Sequence, residues 1–343
     1  MTIRMYTQGD EIQIQQLYTK VFHKERSNEM WKWKFLNHPT NVNPFILVFE
    51  EEGKILGHIS LWVANAYING EQSYIGLRID TMVDPDARGK GIYRKLNESL
   101  LEEAKEHGIM FLYGFPAEKA KEILLATTNG IHVTDVTRYM MVVNPQPLGE
   151  AILPFLKLFR FMTGVMKRKI KPVKLPHGFQ IEKVTHCNKQ FDQLASDLKS
   201  FRPIMLKRDA AYLNWRYFEH PEKEYEILVL KKDGALKGYI VVKKEEQTFR
   251  NKKINAGFIV DMLAYDEQEL WNLLMKAVLY HLKDMDIIQA WSFPETPFAS
   301  VLTLNSIKEK DRPMPFVVHN LTDDQIGANI SDWWVTQGDV DSF

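Results

Sequence analysis

The sequence predicts an α/β protein with a mixed sheet, written as two copies of one fold. Three observations carry this. Short segments recur along the chain at nearly constant spacing. Strand-like and helix-like stretches alternate in the same order in both copies. A glycine-rich junction, DPDARGKGIYRK at residues 84–95, stands between a strand pattern and a helix pattern in the first copy only.

The recurrence is visible in five patches. WKFLNHP from Trp33 returns as WRYFEHP from Trp215, and FILVFEEEGKILGHI returns as EILVLKKDGALKGYI. Gly57 and Gly238 stand 181 positions apart, as do Asp80 and Asp261. GFP from Gly114 and SFP from Ser292 are offset by 178, as are IRMYT from Ile3 and IEKVT from Ile181. Self-similarity at a fixed period marks a repeated structural unit. The copies span residues 1–145 and 178–330, with a connector at 146–177 and a tail at 331–343 that its tryptophans require to be packed.

Within the first copy, a strand at Ile3–Tyr6 leads to a helix whose apolar stripe is Ile12, Leu17 and Phe22. FILVFE, a Glu-Glu-Gly turn and ILGHISLWV form a hairpin. Asn69-Gly70 turns the chain again into SYIGLRIDTMV. Apolar residues at Ile92, Leu96, Leu100 and Ala104 mark a helix, which Gly108 ends as a left-handed cap. IMFLYGF is a buried strand, EKAKEILLATT a helix and VTRYMMVV a closing strand.

Composition narrows the function. Lysine plus arginine equals aspartate plus glutamate at 44 each, so no global field points to nucleic acid. A single cysteine, Cys187, excludes an internal disulfide framework and fits a reducing compartment. The N-terminus lacks the apolar core of a secretory signal, and no apolar run approaches the ~18 residues of a membrane span. A cytoplasmic protein is expected. The connector, with five prolines between Pro145 and Pro176 and no carboxylate after Glu150, has two readings. It is an interfacial helix on anionic lipid, or a packed connector with its lysines in water.

The junction at 84–95 has the chemistry of anion capture. The first turn of a helix leaves backbone N–H groups without intrahelical acceptors, and its dipole favours negative charge. Gly89 and Gly91 let the backbone curl without a Cβ in the way, while Arg88, Lys90, Arg94 and Lys95 surround the mouth. The plain alternative is a surface turn with solvated cations. The second copy serves as an internal control: RGKGIY falls against ELWNLL (residues 269–274), where the glycines are gone and a glutamate replaces the first arginine. The fold can therefore be built without the motif.

In its strand–loop–helix setting, VDPDARGKGI resembles the pyrophosphate loop of the GNAT superfamily of acyl-CoA-dependent N-acyltransferases. WKF…HP, IDTMV and GFP resemble a bacterial subgroup with tandem GNAT domains. The resemblance implies two tandem GNAT-like domains, the second lacking the pyrophosphate loop. It implies acetyl-CoA as co-substrate, no metal, and a small-molecule or peptide amine as acceptor. Main-chain groups of Arg88, Gly89, Lys90, Gly91, Ile92, Tyr93 and Arg94 would hold the coenzyme diphosphate. Those of Met82 and Val83 would align pantetheine and polarise the thioester carbonyl. The strand from Phe111 to Phe115 would splay away to admit the acyl group.

The pattern also departs from the family. Tyr93 stands where glycine or alanine is usual, and Ala126 stands where many members carry the tyrosine that protonates the departing thiolate. Asp80 is a candidate general base, but Asp261 keeps its place in the copy without the loop, which favours a structural role. Tyr113 is a second catalytic candidate, against which stands a plain core aromatic; Tyr139 has the same two readings. His58, His107 and His132 lack metal-ligand spacing and read as surface or capping residues. The terminal carboxylate at Phe343 is a further candidate, by analogy with relatives that place theirs in the active site. A catalytically inactive acyl-CoA-binding or regulatory protein is the alternative to the enzyme. A transferase using charged tRNA is the third reading, disfavoured by the phosphate loop and the neutral charge.

Overall fold

The computed structural model describes residues 1–152 and 167–342. The first copy opens with β1 (Thr2–Met5), α1 (Glu11–Phe22) and α2 (Asn28–Trp31), which runs on as a π-helical turn over Lys32–Leu36. β2 (Phe45–Glu51), β3 (Lys54–Ile68) and β4 (Glu71–Val83) form an antiparallel meander. α3 (Ile92–Glu106), β5 (Ile109–Gly114), α4 (Glu118–Thr127) and β6 (Ile131–Val142) follow. The second copy repeats this order as β7 (Phe179–Val184), α6 (Lys189–Asp197), β8 (Ile204–Leu206), α7 (Ala210–Leu213), β9 (Tyr225–Lys232), β10 (Ala235–Phe249), β11 (Lys252–Ala264), α8 (Gln268–His281), β12 (Ile287–Ser292), α9 (Pro297–Leu304) and β13 (Lys308–Asn320). Between the copies lies α5 (Gln146–Ile152), and the tail carries β14 (Trp333–Trp334). The interfacial-helix reading of the connector falls largely on residues outside those described. Among the described residues no helix is long and apolar enough to cross a membrane.

Among the described residues, all fourteen strands join one mixed sheet, and its order shows how the copies are joined. The main path runs β1-β2-β3-β4-β5-β13-β6-β12-β11-β10-β9-β7. Each copy therefore gives its closing strand away. β13 pairs antiparallel with β5 of the first copy, and β6 pairs antiparallel with β12 of the second. The two exchanged strands also pair with each other at the centre.

A second contact ties the copies through their recurring tryptophans. Trp33 and Trp215 stack with ring centroids 5.0 Å apart. Each indole N–H donates to the other residue's carbonyl, at 2.8 and 3.0 Å. His38 packs on Trp215 and His220 on Trp33, both at 4.2 Å. Both tryptophans lie in π turns, Lys32–Leu36 and Asn214–Phe218, so the WxxxxHP pattern encodes this reciprocal contact.

Two local expectations are corrected. The buried face of α1 is Ile14 and Leu17, while Ile12 and Phe22 are exposed, because the helix lays its inner face toward β3 and β4. His58 is fully buried rather than at the surface, since it lies on the central strand β3.

Candidate functional site

The junction read from the sequence is a loop between β4 and α3. After a one-turn 3₁₀ segment at Pro85–Ala87, Gly89 and Gly91 adopt φ of 85° and 73°. Other L-residues reach this left-handed region only at a cost of roughly 1–2 kcal/mol. A Cβ at either glycine would meet nothing within 4 Å, so the concave side of the loop is open. Among the described residues, the N–H groups of Gly89 to Arg94 reach no protein acceptor; the ladder begins with Lys95 donating to Gly91. That is a row of unpaired donors at the positive end of a 15-residue helix.

Two features hold the loop in place. Lys20 on α1 bridges Asp84 and Asp86, at 2.7 Å to each. Gly57 on β3 lets α3 approach closely: a Cβ there would stand 2.7 Å from Ile92 Cγ2 and 2.9 Å from Leu96 Cδ1. The side chains of Met82 and Ile92 are buried, so these residues can offer a ligand only their main chain. Arg88, Lys90 and Arg94 are exposed; Lys90 pairs loosely with Glu51, and Arg94 with Glu98.

Beside the loop lies a cleft of about 400 Å³, which Tyr93 in the first turn of α3 helps to line. β4 and β5 pair in parallel from Tyr74 to Leu77, and their ladder ends at Leu77 opposite Tyr113. Beyond it the strands part. Arg78 to Thr81 line one wall and Gly114 to Ala117 the other, with Tyr93 and Leu124 from the flanking helices. β4 bulges here: the register with β3 slips between His58 and Ser60, and Asp80 takes a left-handed φ of 46°. The unpaired edge of β4 over this stretch is what the sequence assigned to Met82 and Val83.

Asp80 sits in a closed electrostatic group. Arg26 Nη1 donates to it at 2.6 Å and Lys34 Nζ at 2.8 Å, and all three side chains are at least nine-tenths buried. Burial alone would raise the Asp80 carboxyl, but Lys34 and Arg26 outweigh it and hold it well below the usual carboxylate range. A carboxylate so saturated is a poor proton acceptor. His58, lowered to about 4 by burial, is neutral and donates its Nδ1–H to the Asp80 carbonyl at 2.7 Å, fixing the bulge.

Tyr113, the other catalytic candidate, does not line the cleft. Side chains alternate across a strand, so Gly114 faces the opening while Tyr113 turns into the core between Phe316 and Trp333. Its hydroxyl reaches only the Asp339 carbonyl, at 3.4 Å, and burial pushes its ionisation far up. Tyr139 is likewise a buried residue of β6. Phe343 lies outside the described residues.

The tail brings residues that the sequence reading missed. Lys34 reaches past Asp80 to Asp341 at 2.9 Å, and Asp341 lines the cleft with its side chain about a quarter exposed. Upstream, the tail fills the corresponding place in the second copy. β11 and β12 also part after a short parallel ladder, and there Thr336 forms an antiparallel bridge with Ser292. Arg208 binds Asp261 and Asp339 at 3.1 and 2.6 Å, and Arg216 donates to the carbonyls of Gly338 and Val340. A signal for this was available: Arg26 and Arg208, like Lys34 and Arg216, stand 182 positions apart.

Comparisons with known proteins agree with this geometry. Residues 2–121 match the family model described as the acetyltransferase (GNAT) domain. The chain is similar in structure to a GCN5-related N-acetyltransferase from Anabaena variabilis, with a TM-score of 0.67 and 13% identity over 94% of this chain and 73% of that one. It is similar to N-myristoyltransferase from Saccharomyces cerevisiae with bound myristoyl-CoA, with a TM-score of 0.57 and 12% identity over 93% and 82% of the two chains. Eis1 from Mycobacterium abscessus matches with a TM-score of 0.59 and 11% identity over 94% and 74%. No curated protein matches the sequence. The mixed sheet, the splayed strands and the loop thus share the fold of these proteins, and the family match falls on the N-terminal copy.

Proposed function

We propose that the chain is a cytoplasmic N-acyltransferase that moves an acyl group, acetyl in the simplest case, from acyl-CoA to a primary amine of a small molecule or peptide. The row of unpaired N–H donors from Gly89 to Arg94, at the mouth of the cleft between β4 and β5, is the observation that carries this reading. The coenzyme supplies an activated thioester. The loop's N–H groups bind its diphosphate, and the free edge of β4 at Met82 and Val83 aligns the pantetheine arm. An N–H from that edge stabilises the oxyanion as it forms.

A direct attack needs no nucleophile from the protein. The amine nitrogen bonds to the thioester carbon, the C–S bond breaks, and the sulfur leaves as thiolate and takes a proton from water. The amine proton passes to Asp341, the carboxylate that lines the cleft without being closed in by two cations. Asp80 positions: with Arg26 and Lys34 it holds the bulge that aims the β4 edge. No side chain is assigned as acid, since Ala126 replaces the family's tyrosine.

The test is calorimetric titration of acetyl-CoA into wild type and Gly91→Glu, with thiol release followed over a panel of amines. Wild type should bind and release thiol, and the variant should do neither. Equal binding by both proteins would remove the assignment. Binding without thiol release from any amine would leave an inactive acyl-CoA-binding protein.

A further inference from the structure

Among the described residues, one positive charge of the cleft has no ion-pair partner. At its tail end, the charges of Asp80 and Asp341 are matched by Arg26 and Lys34. Arg78, the first residue of β4 beyond the ladder with β5, has no such match. Its Nη1 donates to Asn97 Oδ1 at 2.6 Å, and Asn97 is itself buried and fixed by donating to the Tyr93 carbonyl at 2.8 Å. Nε and Nη2 are shielded from water and reach no acceptor among the described residues. No carboxylate there forms an ion pair with Arg78, whereas the buried Arg26, Lys34 and Arg208 each have one. Burial lowers the Arg78 guanidinium to about 10, with only the Tyr93 phenol acting against it.

Which nitrogens are vacant is informative. Asn97 occupies Nη1 and so sets the plane of the guanidinium. The edge left over is Nε with Nη2, two parallel N–H donors that match the two oxygens of a carboxylate. Gly114, whose Cβ would stand 3.3 Å from Arg78 Cβ, leaves the side chain room on the opposite strand. The remaining walls near it, Phe115, Ala117, Ala120 and Leu124, are apolar. A long cation kept unpaired against apolar walls is costly to the fold, as expected of a group whose partner arrives with the substrate.

We propose that Arg78 binds a carboxylate of the substrate through its Nε–Nη2 edge, so that the enzyme acts on a carboxylate-bearing acyl donor or a carboxylate-bearing amine. This rests on the acyltransferase reading. The two sources of the carboxylate differ in which partner carries it. Arg78 stands at the closed end of the splay, on the side of α3.

The experiment has two arms and a control free of acyl transfer. One arm compares succinyl-CoA with acetyl-CoA on a fixed neutral amine; the other compares amino acids with their amides, using acetyl-CoA. Wild type should favour the carboxylate-bearing member by at least tenfold in kcat/KM in one arm, and that arm identifies the source. Arg78→Met should reduce the preference at least tenfold and raise the Tm, because an unpaired buried charge is removed. In the control, succinate alone should raise the Tm of wild type and leave Arg78→Met unmoved. No preference in either arm, or one that survives in Arg78→Met, overturns the proposal. If coenzyme A fails to bind at all, the acyltransferase reading falls, and the succinate shift still decides whether Arg78 is a carboxylate site. An absent shift then overturns it too.

Discussion

Asp80→Asn separates a positioning carboxylate from a catalytic base. The substitution keeps the size of the side chain but leaves Arg26 and Lys34, exposed by 4% and 7%, without their shared anion. Breaking a buried pair by removing one partner costs about 3–5 kcal/mol. At about 2.1 cal/mol/K per residue, a chain of 343 residues has an unfolding entropy near ~0.7 kcal/mol/K. The expected fall in Tm is therefore about 4–7 °C, read by calorimetry at neutral pH. The acid limb adds a sign. The folded carboxyl lies below its ordinary value, so its stabilisation is complete above the unfolded pKa of about 4 and fades as pH drops below it. Wild type and variant should converge in acid. A variant that keeps its Tm at neutral pH but loses turnover would refute the positioning role and restore Asp80 as the base.

Three further outcomes follow from the same geometry. Asp341→Asn should lower kcat more than tenfold and leave coenzyme affinity unchanged by calorimetry, because Asp341 stands at the tail end of the cleft, away from the diphosphate loop. Asp339, raised to about 6 by burial and the nearby Asp261 against the pull of Arg208, favours the fold while protonated; relative to Asp339→Asn, wild-type Tm should fall as pH rises from 4 through about 6. Gly57→Val should weaken coenzyme binding at least fivefold in titration without touching the loop's sequence, since the added carbons would drive Ile92 and the start of α3 off β3.

What was legible in the sequence is what is local or repeated. RGKG reads as an anion loop because glycine torsions, helix polarity and charge all act within ten residues, and the second copy supplies the contrast. The strand exchange was not legible. β6 and β13 carry the same apolar pattern whichever β-edge they join, so pairing within a copy and pairing across copies look alike in sequence. The partners of Lys34 lie 46 and 307 positions away, beyond any periodicity. The face of α1 was misread because Ile12 and Ile14 are both apolar, and only packing against β3 and β4 distinguishes them. Tyr113 shows the converse: its strand borders the cleft, but alternation puts Gly114, a residue without a side chain to notice, on the cleft side.

The same Arg–Asp pair stands beside one open and one filled gap, and the tail accounts for the difference. In the second copy, Arg208 and Asp261 meet Thr336 and Asp339, Arg216 holds the Gly338 and Val340 carbonyls, and the gap between β11 and β12 is occupied by backbone. In place of the glycine loop, residues 269–274 form a regular helix start. Past Val340 the tail crosses to the first copy, where it delivers a single carboxylate, Asp341, to Lys34 and leaves the gap between β4 and β5 open. The second copy thus anchors the tail, and the anchored tail brings Asp341 to the first copy's cleft. Filling the gap of the second copy from within leaves the corresponding gap of the first copy as the open one.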